Sequence, residues 1–463
     1  MLDRSVGPVH FIGIGGVGMS PLAEVLLARG YTVSGSDAKR SARTDALLAH
    51  GARVRIGHDA AAADGAAGVV YSTAIRPGNP ELRAAREQGL PIWHRSELLA
   101  ALLTGQRPIA VAGTHGKTTT TGMIGVALAR AGLDPTVIVG GDVCDLGGYH
   151  RLGRSDLFVL EACESDASFL NYPDCNQVIT SLEPDHLDQH GTFAKLCDSF
   201  RRFIELGRAD GFLVYCGDSP LLRDLAAHAP GRTLSYGETA GVDFRVTEIA
   251  TDTRSASFRL QAPNVAPRAV SLSVPGAHNA LNAAAAFAAA TEAGAAPEAA
   301  LAGLSAFRGV GRRFDVLWDR AGIMVVDDYA HHPTEIEATL RTARAGWAGR
   351  IVAVFQPHLF SRTKHLMDGF ARAFASADQV IITDIYAARE DPMPGVDGRL
   401  LAEAVASHEP GKPVTFLATK AEVAAYLRER MSAGDMVVTI GAGDIREVAE
   451  ELAEAFGERS QVA

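Results

Sequence analysis

Apolar positions along the chain fall into short continuous runs separated by stretches of helical period. Residues 9–14, "VHFIGI", are one such run, and "PLAEVLLARG" then places Leu22, Val25 and Leu26 on one helical face before Gly30 ends it. "YTVSGSD", "GVVYSTAI" and "LPIW" continue the alternation, which predicts a parallel sheet covered by helices. Gly105 and Pro108 mark a break near residue 106, and "DLFVLEAC", "CNQVITSL" and "GFLVYCG" beyond it suit central strands. From about 243 to 275 the runs "FRVTEI", "SASFRL" and "AVSLSV" predict short antiparallel strands instead, before an alanine-rich packing helix that follows "PGAHNALN". A third series opens near "GRRFDVLWD", where "IMVVDDYA" leads into a helix from Pro333, and continues through "RIVAVFQPH", "QVIITDIY" and "MVVTIGAG". The expectation is an α/β fold in three domains, 1–105, 106–312 and 313–463.

Length agrees, since 463 residues at about 150 per domain make about three. The composition, 47% hydrophobic and 21% charged, is that of a globular chain and excludes disorder and coiled coil. A net charge of −10 argues against general affinity for nucleic acid or anionic lipid. No apolar run reaches the ~18 residues that cross a bilayer, and the first ten residues lack a signal-peptide core, so a cytoplasmic protein without membrane partners is expected. Five cysteines, Cys144, Cys163, Cys175, Cys197 and Cys216, contain no CxxC pair and read as reduced thiols.

Two glycine loops carry the first chemistry. Gly13, Gly15 and Gly18 form GxGxxG between a strand and a helix, with Asp37 ending the next strand, a pattern that suits a nucleotide diphosphate without distinguishing NAD from others. The second loop, "AVAGTHGKTTTTGMIG", is a P-loop with Val111 where a glycine usually stands and Gly113 nearer to Gly116. Its Lys117 suits β- and γ-phosphates, and Thr118 a Mg²⁺ ion. An NAD oxidoreductase explains only the first loop and a switch NTPase only the second. An ATP-consuming enzyme with a nucleotide as second substrate explains both.

Further candidates stand at predicted strand ends. "VLEACESDASF" offers Glu161 and Glu164 as hard ligands for Mg²⁺, and "TSLEPDHLDQH" offers Asp185, His186, Asp188 and His190, of which His186 is the functional candidate and His190 a surface or packing residue. Asn279 and Asn282 share a helical face and could read an adenine edge or merely cap the helix. Arg312 and Arg313 could meet a nucleotide or form a salt bridge. "VVDDYAHHPTE" groups Asp327, Asp328, Tyr329, His331 and His332, with no distant ligand set for zinc.

Taken together, "HFIGIGGVGMS", "STAIRPGNPEL", "GTHGKTTT", "ESDASF", "DHLD", "HNALNAAAA", "GRRFD", "DDYAHHP", "FQPHLFSRT" and "GAGDI" give a chain that closely resembles the Mur ligases of peptidoglycan synthesis over almost its whole length. The resemblance implies Rossmann-like outer domains around a central P-loop ATPase-like domain. It implies UDP-N-acetylmuramate and L-alanine as substrates, ATP and Mg²⁺ as cofactors, an acyl-phosphate intermediate, and a monomer or weak homodimer. A recycling ligase that adds a preformed tripeptide to the same sugar is the nearest rival.

By the same resemblance, Gly15, Gly16, Val17, Gly18, Asp37, Ser72 and Thr73 serve the UDP-sugar. Gly113, Thr114, His115, Gly116, Lys117, Thr118, Thr119, Asn279, Asn282, Arg313 and Asp328 serve ATP, and Thr118, Glu164 and His186 the metal. Lys117, Glu164, His186 and His331 are the implied catalytic set. Many relatives read PHRYTRT where this chain has "PHLFSRT", so Leu359 replaces one arginine and Arg362 is expected to hold the amino-acid carboxylate, with His358 and Tyr329 shaping the pocket; an interdomain salt bridge is the alternative use of Arg362. Cys163, where relatives often have aspartate, receives no metal role, and Arg201 and Arg202 occupy the stretch in which some relatives carry a carbamoylated lysine.

Overall fold

The computed structural model describes residues 7–263, 265–388 and 390–462, with side chains for all of these but Asp188 and residues 458–462. By its internal contacts the chain forms two compact units, one of residues 1–182, 194–235 and 285–303, the other of residues 183–193, 236–284 and 304–463.

The first unit begins with a parallel sheet of β1 (Val9–Ile12), β2 (Val33–Asp37), β3 (Arg53–Ile56), β4 (Gly68–Tyr71) and β5 (Ile92–His94), in the order β3-β2-β1-β4-β5. Strand order reverses beside β1, and the loops leaving β1 and β4 open at that reversal, where α/β sheets bind ligands. The predicted runs 9–14 and 68–75 are longer than the strands. Gly13 turns the chain with φ +77°, and Ser72–Ile75 closes a turn through Ile75 N–H to Ser72 O.

The same unit contains β6 (Arg107–Ala112), β7 (Thr136–Val143), β8 (Gly148–Arg151), β9 (Leu157–Glu161), β10 (Asn176–Ile179) and β11 (Phe212–Cys216), ordered β11-β10-β6-β9-β7-β8. β6 lies between β9 and β10 and is buried from Pro108 to Ala112, so its run carries no polar alternation. β12 (Arg232–Gly237) begins in this unit and ends in the other, where Tyr236 and Gly237 pair in parallel with β13 (Phe244–Thr251). β14 (Ala256–Ala262) and β15 (Val265–Leu272) continue from β13 as the expected antiparallel strands.

The remaining strands of the second unit are β16 (Asp315–Arg320), β17 (Ile323–Asp328), β18 (Arg350–Phe355), β19 (Gln379–Ile382), β20 (Val414–Phe416) and β21 (Asp435–Ile440), ordered β16-β17-β21-β18-β19-β20. All pairs are parallel except β16 with β17. Val326, Ala353, Phe355 and Val438 join Phe370 and Phe374 in one core, whereas Val325, Val352, Val354 and Val437 join Val448 and Leu452 in another. Neighbouring residues thus enter opposite cores, which is why these strands read as unbroken apolar runs.

Candidate active site

The P-loop follows β6. Gly113 has φ +138° and Gly116 φ +79°, left-handed conformations that glycine adopts without the steric cost of a side chain, and a Cβ at Gly113 would come within 2.1 Å of Thr180 Oγ1. The loop is tied to the end of β10, since Thr114 N–H donates to Ser181 O at 3.0 Å and His115 N–H to Ser181 Oγ at 2.8 Å. Lys117 opens the helix Lys117–Arg130, followed by Thr118 and Thr119. Its Nζ reaches back to Gly113 O, to Thr114 O at 3.1 Å and to Glu164 Oε1 at 2.9 Å. Burial works to lower the Lys117 pKa, but the Glu164 carboxylate outweighs it and keeps the ammonium charged well above the ordinary range. Glu164 is 1% exposed, whereas Glu161 accepts Gly140 N–H at 2.9 Å and braces β7. A carboxylate buried against the P-loop lysine, in a loop that also supplies the Thr118 hydroxyl, is a donor set suited to Mg²⁺ with phosphate.

In the first glycine loop, Asp37 accepts Gly15 N–H at 2.9 Å and Arg43 Nε donates to Gly15 O at 2.6 Å. A Cβ at Gly15 would lie 2.8 Å from Thr44 Cγ2 and 3.0 Å from Asp37 Oδ2. The space beside Gly15 is thus already filled by the chain's own residues. Val17 and Thr73 are exposed, and Gly16, Gly18 and Ser72 are half-buried.

The second unit carries the other candidates. β17 ends at Asp328, whose carboxylate accepts Phe314 N–H at 2.7 Å and Ala330 N–H at 2.8 Å. Burial raises its pKa to about 6, although Arg313 and those two N–H groups oppose the shift. Arg312 and Arg313 lie 4.8 and 5.3 Å from the Tyr329 ring centre, and Glu335 faces both Arg313 Nη1 at 3.7 Å and His331 Nδ1 at 3.5 Å. Burial pushes His331 down to about 3, so this imidazole is neutral at physiological pH. Asn279 and Asn282 are buried and linked, Asn282 Nδ2 donating to Asn279 Oδ1 at 3.1 Å and Asn279 Nδ2 to Pro275 O at 2.6 Å.

Arg362 sits in the helix Phe360–His365 beyond β18 and is 8% exposed. Its Nε donates to Asp185 Oδ1 at 3.2 Å, its Nη2 to Asp185 Oδ2 at 3.5 Å, and its Nη1 lies 3.4 Å from His358 Nδ1. His358 stacks on Tyr386 and meets His331 edge-on at 6.3 Å. Asp185 also accepts His186 N–H at 2.7 Å. Burial alone would raise the Asp185 carboxyl; Arg362 first, then His186 and His331, hold it well below the usual carboxylate range. The fork that the sequence offered to a substrate carboxylate is thus engaged by an internal one. Asp185 was visible in "DHLD", but no local spacing joins it to a residue 177 positions away. Asp188 has its side chain outside the described residues.

Lys117, Thr118 and Glu164 therefore gather in one unit, and His186, Asn279, Asn282, Arg313, Asp328, Tyr329, His331, His358 and Arg362 belong to the other. Three family models match successive segments: "Mur ligase family, catalytic domain" over residues 8–107, "Mur ligase middle domain" over 111–290 and "Mur ligase, glutamate ligase domain" over 312–443. The chain belongs to the Mur ligase family. Its architecture is accordingly the three-domain α/β arrangement of that family. A Kineococcus radiotolerans protein named UDP-N-acetylmuramate–L-alanine ligase is 48% identical, with 98% of this chain and 97% of that one aligned. One of the same name from Renibacterium salmoninarum is 47% identical over 99% and 98%. Among solved structures, the UDP-N-acetylmuramate-alanine ligase of Thermotoga maritima is 28% identical with a TM-score of 0.83, covering 98% of this chain and 99% of that one. A murein peptide ligase from Psychrobacter arcticus is 26% identical with a TM-score of 0.73, over 97% and 99%. No helix among the described residues is long and apolar enough to cross a membrane.

Proposed function

We propose that this Mur ligase joins L-alanine to the lactyl carboxylate of UDP-N-acetylmuramate at the expense of ATP. The chain is an ATP-dependent ligase of peptidoglycan precursor synthesis, as its relatives' names and its full-length identity to them support. The observation that carries the reading is the presence of two separate nucleotide-type loops on one chain, a P-loop with a charged, carboxylate-paired Lys117 and a GxGxxG loop braced by Asp37. A dehydrogenase has no use for the first of these.

A carboxylate is a poor electrophile, and transfer of the γ-phosphoryl group of ATP makes it an acyl phosphate that an amine can attack. The Lys117 ammonium and the backbone N–H groups at the start of the helix Lys117–Arg130 counter charge that develops on the phosphoryl oxygens. Thr118, Glu164 and His186 would hold a Mg²⁺ ion, which neutralises phosphate charge when bound. Asn279, Asn282, Arg313 and Asp328 serve the nucleotide. Gly15, Gly16, Val17, Gly18, Asp37, Ser72 and Thr73 serve the UDP-sugar. Arg362, with His358 and Tyr329, orients the alanine carboxylate, and His331 stands beside them as an uncharged imidazole that adds no repulsion to the incoming ammonium. The domains run 1–105, 106–312 and 313–463, and the enzyme acts in the cytoplasm as a monomer or weak homodimer.

The test supplies UDP-N-acetylmuramate and ATP with either L-alanine or the tripeptide and follows ADP release and product mass. ADP release that needs both the sugar and L-alanine supports the reading. Turnover with the tripeptide alone would assign the chain to recycling, and NADH formation without ATP would remove it from ligation altogether.

A further inference from the structure

Arg95 opens the helix Arg95–Leu103 directly after β5. A cation there faces the positive end of the helix dipole, an unfavourable place for it. The side chain is only half-exposed, and its guanidinium makes no hydrogen bond or ion pair with any described residue. Glu97 accepts His94 N–H at 2.7 Å, and Asp166, whose carboxyl Ser168 and the Arg95 charge hold low against burial, accepts Ser168 N–H at 3.1 Å and faces His94 Nε2 at 3.9 Å. A half-buried guanidinium at a helix N-terminus, near a carboxylate but in hydrogen-bond contact with none, has N–H groups left to offer an anion.

Its position says which anion. A Cβ built on Gly18 would lie 3.4 Å from Arg95 Nη1 and 3.5 Å from its Cδ, so the guanidinium lies against the last glycine of the GxGxxG loop. The Gly18 backbone is not left-handed, and these are ordinary van der Waals distances, so Arg95 is seated beside the loop without crowding it. From the proposed UDP-sugar site, on which this step rests, we infer that Arg95 binds the diphosphate of the nucleotide-sugar across Gly18. Motif reading passes over this residue because it lies 77 positions after Gly18, in the helix "RSELLAALL" that reads as packing. The guanidinium supplies donors that the loop lacks, because the Gly13, Gly15 and Gly16 N–H groups already donate to Ser36 O, Asp37 and Gly13 O, whereas a planar fork brings two N–H groups to a phosphate.

The experiment measures binding of UDP and of uridine to the full chain and to its Arg95→Ala and Arg95→Lys variants by calorimetry, with thermal unfolding as a check on folding. UDP carries the diphosphate and no lactyl carboxylate, which separates the two anionic groups of the substrate. Loss of a charge-assisted bond of the usual strength weakens UDP binding by roughly 10- to 100-fold in Arg95→Ala. Arg95→Lys recovers part of it, and uridine affinity stays as it was. Unchanged UDP affinity, or an equal loss for uridine, would overturn the assignment, as would weakened UDP-N-acetylmuramate binding with UDP binding intact, which would point to the carboxylate. Absence of UDP binding by the unsubstituted chain would overturn the UDP-sugar site itself and with it this role for Arg95.

Discussion

Truncation of Arg362 separates its two possible uses. In Arg362→Ala the Asp185 carboxylate, 6% exposed, loses the guanidinium that holds both its oxygens and keeps only His186 N–H and the nearby imidazoles. Leaving one member of a buried ion pair alone costs about 3–5 kcal/mol, whereas removing both members together costs much less. The single variant should therefore unfold at markedly lower denaturant, and the double variant Asp185→Asn/Arg362→Ala should recover much of the loss, with a coupling energy of about 2 kcal/mol or more. The sign with pH follows from the depressed Asp185 carboxyl. The unfolded chain binds its proton near pH ~4, the folded chain only at lower pH, so the pair's contribution is present above pH ~4 and is lost on further acidification. Denaturation at pH 7 and in acid, run beside KM values for L-alanine and ATP, reads both effects. Additive stability losses would refute the buried-pair argument. Equal changes in the two KM values, or none, would refute Arg362 as the alanine anchor and leave it a structural residue.

Lys117→Ala should reduce ligation ~100-fold or more with UDP binding nearly intact, because the two loops leave different sheets; near-normal turnover would contradict the P-loop reading. Glu164→Ala and His186→Ala should raise the Mg²⁺ concentration needed for half-maximal rate, and unchanged titrations would remove those ligands. Gly15→Val should lower UDP affinity and stability together, since its Cβ would crowd Thr44 and Asp37; a fall in ATP affinity alone would contradict this. With His331 at about 3, no titration of this residue should shape the rate between pH 5 and 8, and a limb in that range abolished by His331→Asn would show otherwise.

β17, β18, β19 and β21 were legible because both of their faces are buried, and 13–18 because glycines there have only a few structural uses. Two edge strands were not: β3 has the pattern Arg53-Val54-Arg55-Ile56 with three exposed residues, and β8, "GYHR", has no apolar run at all. The P-loop lysine and its carboxylate could be named from sequence, but their 2.9 Å contact depends on β6 and β9 lying side by side, a tertiary fact. The same holds for Asp185 with Arg362, and for Arg95 beside Gly18, where the partners are far apart in sequence and the residue types alone are common surface types.

The acyl phosphate carries the mechanism, and oxygen tracing reads it without a variant. UDP-N-acetylmuramate labelled with ¹⁸O in both lactyl carboxylate oxygens is turned over with ATP and L-alanine in ordinary water, and the phosphate released is examined by mass spectrometry. Attack of the carboxylate on the γ-phosphorus, then displacement by the amine, leaves one labelled oxygen in each phosphate and one in the amide. Phosphate free of label would mean that water took the phosphoryl group and that the carboxylate was never phosphorylated.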